Sequence, residues 1–76
     1  MSIKMEDKYF IPYINLIVRR FAERFRLTVQ EAFRYLYNFK GIHFLNEFYD
    51  VEHTVSVDDA IVDLITVCKK NGGQLG

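Results

Sequence analysis

Thr28 stands three residues before Glu31, and the pair opens an apolar run at helical spacing. This pattern is a capping box: the hydroxyl accepts from the backbone N–H of Glu31, and the carboxylate accepts from the backbone N–H of Thr28. Val29, Ala32, Phe33, Leu36 and Phe39 or Lys40 continue the spacing and predict a helix over about 29–39. Gly41 occupies the place where a left-handed residue closes such a helix. The same grammar recurs at Ser56, with Asp59 in the position of the glutamate. Val57, Ala60, Ile61, Leu64, Ile65 and Cys68 then form an unbroken apolar face. Asp58 and Asp59 fall in the positive first turn, and Lys69 and Lys70 in the negative last turn. Asn71-Gly72-Gly73 ends this helix, and Gln74-Leu75-Gly76 reads as a frayed tail.

Two further segments complete the pattern. From Phe10 to Arg26, Ile14, Ile17, Val18, Phe21 and Phe25 recur at steps of three and four, one face of a helix with Pro12 in its first turn. Tyr9, Tyr13 and Leu16 fall on another side and make a second, weaker apolar stripe. Ile42, Leu45, Phe48 and Tyr49 predict a short helix over 42–49, and Asp50 to Val55, rich in β-branched residues, reads as an extended link. The expected fold is all-α: a compact bundle of three main helices plus one short helix. With 76 residues there is room for one core, so 1–76 is expected to be a single domain with an ordered core over about 10–72.

Half of the residues are hydrophobic and 16% are aromatic, which argues for a folded chain. Ten basic and ten acidic residues cancel, which excludes a generally basic nucleic-acid binder and favours association. The cancellation hides a separation: residues 1–40 carry a net charge of +4 and residues 41–76 carry −4. One reading is a two-signed surface that docks on a charged partner or on copies of itself; the other is that the basic first helix lies against the acidic last one. The N-terminus has charges of both signs and leads into no long apolar run, so neither a secretory signal nor a membrane span is expected. A lone Cys68 fits a reducing compartment, and the expected location is cytoplasmic.

Chemistry-bearing constellations are sparse. His43 and Glu47 lie one helical turn apart and His53 follows, a set with metal-ligating residue types but no paired ligand motif. The simpler reading has His53 bonded to a backbone group, holding the link on the core. Arg19, Arg20, Arg24 and Arg26 suit phosphates, yet the element after Gly41 offers Phe44, Leu45, Glu47, Phe48 and Tyr49, which do not match base-edge recognition. Ser56 reads as a cap and Cys68 as a buried, inert thiol, and no glycine-rich phosphate loop exists. No enzymatic activity and no cofactor are expected. The stripe Tyr9, Tyr13 and Leu16, with the basic row Arg19, Arg20 and Arg24, is the expected partner-binding surface.

The run Leu27 to Leu36, then Gly41-Ile42 and Phe44-Leu45, then Tyr49 to Leu64 ending in Asn71-Gly72-Gly73, resembles a family of small bacterial domains of unknown function common in gut anaerobes. Its most specific piece is Glu52-His53-Thr54 followed by the acidic helix start and Asp63-Leu64. The resemblance implies no activity. It does imply a genomic setting beside proteins resembling ADP-ribosyltransferase-like toxins, and through that an antitoxin or accessory role. Glu52, His53, Thr54, Asp59 and Asp63 are the matched residues, read first as locking the link to the last helix. The expected function is a non-catalytic protein–protein interaction module, with a toxin-like protein or a second copy as partner. The alternatives are a DNA-associated regulatory module using the basic first helix and a metal-binding module through His43, Glu47 and His53.

Overall fold

The computed structural model describes residues 10–73, which form five helices: α1 (Phe10–Phe25), α2 (Val29–Asn38), α3 (Gly41–Glu47), α4 (Tyr49–Glu52) and α5 (Val57–Lys70). No strand occurs among the described residues. Tyr9 and the expected tail Gln74-Leu75-Gly76 lie outside them. The all-α bundle therefore holds, with one element more than the sequence pattern predicts.

Both helix-start signatures form as read. Thr28 Oγ1 accepts from the Glu31 N–H at 3.0 Å while Glu31 Oε1 accepts from the Thr28 N–H at 2.9 Å, and Ser56 Oγ accepts from the Asp59 N–H at 3.0 Å. The other ends of α1 and α5 close in one way. Arg26, at φ 57°, turns left-handed after α1, and the Leu27 N–H reaches back to the Ala22 carbonyl at 2.9 Å. Gly72, at φ 91°, does the same after α5, where the Gly73 N–H meets the Cys68 carbonyl at 2.8 Å. This six-to-one bond is the Schellman closure, which satisfies carbonyls otherwise left open at a helix end.

Between α2 and α3 the left-handed residue is Lys40, at φ 71°, and not Gly41. Gly41 is buried for a different reason: a Cβ there would stand 2.9 Å from Leu36 Cδ2 and 3.3 Å from Cys68 Sγ. The glycine thus lets the start of α3 approach α2 and α5, while a lysine takes the strained turn position.

The expected extended link over 50–55 is instead one helical turn, α4, followed by a tight turn into Ser56. The Glu52 N–H donates to the Phe48 carbonyl at 2.8 Å and the His53 N–H to the Tyr49 carbonyl at 3.0 Å. Among the described residues no strand offers a ladder, so the β-branched residues here satisfy their backbone locally. The turn points Tyr49 and Glu52, three apart, toward the interior, and both are buried.

At the centre, Ile17, Phe21, Ala32, Leu36, Leu45, Ala60, Ile61, Leu64 and Cys68 are almost wholly removed from solvent. α1 packs against α2 and α5, and α3 packs against α2, α4 and α5. Aromatic rings gather at the two ends of α1. Phe21 meets Phe25 and Tyr35, and Tyr35 meets Phe39, with centroids 4.8, 5.8 and 4.9 Å apart. At the other end, Tyr49 receives Phe10 and Tyr13 edge-on at 5.5 and 5.3 Å.

Candidate functional site

The core face of α2 is narrower than its sequence implies. Ala32 and Leu36 are buried, but Val29, Phe33 and Tyr37 are 52, 44 and 66% exposed. Helical spacing groups Val29 and Phe33 with Ala32 and Leu36 as one apolar set; a spacing of four carries 29, 33 and 37 along their own row, beside the buried row of 32 and 36. Phe33 and Tyr37 stack on one another at 6.1 Å. With Ile11 and Ile14 of α1 and Ile42 of α3 they wall an open-sided groove of about 760 Å³. A shallower cleft continues past Phe33 to Val29 and Arg34. Lys40 and His43 border the groove, and among the described residues no aspartate or glutamate lines either depression. His43 Nε2 lies 3.1 Å from Glu47 Oε1, outside the lining. Apolar periodicity alone does not separate this exposed row from the core face; the signal that could have found it is the spacing of four from Val29 through Phe33 to Tyr37.

The surface expected from the sequence is only partly assembled. Tyr9 lies outside the described residues. Tyr13 is half-buried and committed to the core through Tyr49. Leu16 is 40% exposed, and Arg19, Arg20 and Arg24 are exposed. Arg20 and Arg24 share a shallow cleft with Asp58 of α5, so part of the basic first helix does face the acidic last one. The apolar stripe and the basic row do not form one continuous free face.

Beneath Tyr13 sits a cluster that pairs two carboxyl groups. Glu52, 5% exposed, hydrogen-bonds with Asp63 of α5. Burial, then this bond, then the charge of Asp63 push the Glu52 carboxyl up to about 7 from 4.5. Its protonated form therefore donates to Asp63, which ties α4 to α5. Its Oε1 and the Tyr13 hydroxyl are both buried without a partner among the described residues. Burial foremost, with the charges of Glu52, Tyr49 and Asp63, pushes Tyr13 up to about 12. Such unpaired buried atoms oppose folding by about 1–3 kcal/mol each and localise weakness at this corner.

His53 Nδ1 donates to the Tyr49 carbonyl at 2.6 Å and its ring stacks on Tyr49, while Thr54 Oγ1 donates to the Val51 carbonyl at 2.6 Å. Glu52, His53 and Thr54 thus hold α4 together and fasten it to α5. His53 does not join His43 and Glu47: among the described residues no three His, Cys, Asp or Glu side chains converge as metal ligands. In α3 and α4, where a base-reading helix would stand, Leu45 and Tyr49 are buried in the core. The Cys68 thiol is fully buried and pushed up to about 11 by that burial, against a smaller lowering by the Gly41 backbone. No described helix is long and apolar enough to cross a membrane.

These features define a small all-helical domain in which several polar side chains lock helix starts and turns, and whose described surface carries an apolar groove. Residues 13–71 match the family described as Protein of unknown function (DUF3791), and the chain belongs to that family. No curated protein and no solved structure matches it.

Proposed function

We propose that this chain is a non-catalytic protein–protein interaction module that works through the groove between α1, α2 and α3. The observation that carries this reading is the row Val29, Phe33 and Tyr37, held out to solvent on a rigid helix beside a cleft of about 760 Å³. Aromatic side chains displayed this way are typical interface anchors, and they cost little entropy to immobilise. Among the described residues, Ser56 and Thr28 cap helices, and the Cys68 thiol is buried and protonated. The specific form of the proposal is a bacterial, cytoplasmic accessory or antitoxin-like partner of a toxin-like protein.

The test is affinity capture from the native host with the intact chain and with a Phe33→Glu/Tyr37→Glu variant. Both positions are exposed, so circular dichroism of the variant should match the parent. Capture of the same protein by the parent and by an Arg20→Glu control, but not by the groove variant, is the expected result. Retention that ignores the groove variant overturns the reading.

A further inference from the structure

We propose that the groove between α1, α2 and α3 seats an amphipathic helical segment of a partner protein, about two to three turns long, whose apolar face is flanked by carboxylates. This rests on the interaction-module reading and specifies the chemistry of the partner.

Three observations lead to it. The first is charge. Both depressions are lined with apolar side chains and amides, and among the described residues their formal cations are Lys40 and Arg34, with no acid in the lining. Among the described residues neither cation has an ion-pair partner, whereas the border imidazole of His43 already meets Glu47. A symmetric pairing of two copies through this face would bring together two linings that each carry cations and, among the described residues, no acid, so a carboxylate-bearing occupant fits better than a second copy.

The second is shape. Val29, Phe33 and Tyr37 lie on one helical row, and eight residues of helix rise about 12 Å, the length of roughly two turns of a docked helix. No strand exists among the described residues, so an extended peptide would find no ladder for its backbone, while a helix satisfies its own.

The third is position. Lys40 closes the turn between α2 and α3 in a left-handed conformation at φ 71°, and its side chain lines the edge of the groove. Its ammonium there can meet a carboxylate that flanks the apolar face of the occupant.

The experiment is a selection from displayed peptides built on a helical host with an apolar face and randomised flanks. It is panned on the intact chain and counter-selected on Phe33→Glu/Tyr37→Glu. Recovered peptides should carry net negative charge and bind the parent at least about tenfold more tightly than the groove variant. They should weaken several-fold with Lys40→Glu or Arg34→Glu and with added salt. Groove-dependent peptides that are neutral or basic overturn the carboxylate assignment and leave the interaction-module reading standing. Recovery of no groove-dependent peptide overturns the helical occupant. Concentration-dependent sedimentation of the parent that disappears in the groove variant assigns the face to a second copy and overturns it too.

Discussion

Lys40 and Gly41 divide two tasks that a single glycine performs at many helix ends. Lys40 takes the left-handed turn, and Gly41 gives up its side chain so that Leu36 and Cys68 can close over it. Lys40→Gly should therefore stabilise the fold by about 0.5–1 kcal/mol, the left-handed penalty less the added freedom of glycine in the unfolded chain. Gly41→Ala should cost about 1–3 kcal/mol, because its Cβ meets Leu36 Cδ2 at 2.9 Å and the Leu36 carbonyl oxygen at 3.2 Å. Urea titration of the two variants checks both signs; equal effects would show that the tasks are not divided.

The two helix caps should matter by similar amounts. Thr28→Ala removes a reciprocal pair of bonds at 3.0 and 2.9 Å, and Ser56→Ala removes one at 3.0 Å. Each should lower stability by about 1 kcal/mol, with Thr28→Ala at least as costly. Thermal unfolding followed by circular dichroism measures this directly.

Stability should fall as pH rises from 4.5 to about 7. In the unfolded chain the Glu52 carboxyl ionises near 4.5, whereas in the folded chain it holds its proton to about 7. Through that window the unfolded state binds fewer protons than the native one, so the slope is negative. The contribution of the protonated form is complete below the lower value and gone above the upper. Glu52→Gln keeps a donor toward Asp63 and cannot ionise. The variant should lose this part of the pH slope and overtake the parent above neutrality; a slope unchanged by the substitution would assign it to other groups.

Cys68 should resist alkylation while the chain is folded. It is fully buried, and its thiol ionises only near pH 11. Modification must then proceed through opening, slower than in denaturant by roughly 10³-fold or more. Mass spectrometry of iodoacetamide adducts over time gives the ratio, and comparable rates in the two conditions would place the thiol within reach of solvent.

The existence of α2 and α5 was legible because each advertises its own start. Thr28 with Glu31, and Ser56 with Asp59, mark where backbone donors need partners, and the bonds form as the residue types require. What was not legible depends on which neighbour a face meets. Phe33 reads as core by hydropathy, yet α1 and α3 cover only the row of Ala32 and Leu36. Tyr13 reads as part of an outer stripe, yet the one-turn α4 brings Tyr49 beneath it. That turn spans four residues, too few for periodicity to register, and Val51 and Val55 disguise it as extended chain. Gly41 reads as the turn residue because spacing locates the end of a helix to within a residue or two, not which residue there bends left.

The gathering of rings at opposite ends of α1 has a spectroscopic consequence. The chain has no tryptophan, so its intrinsic ultraviolet emission is dominated by tyrosine. Tyr35 sits in the cluster with Phe21 and Phe39, Tyr49 in the cluster with Phe10, and Tyr37 stands on the outer row of α2. Replacing these tyrosines by phenylalanine one at a time leaves differing sets of native fluorophores. Whether the resulting melting curves superimpose measures how far the two extremities of the bundle let go together.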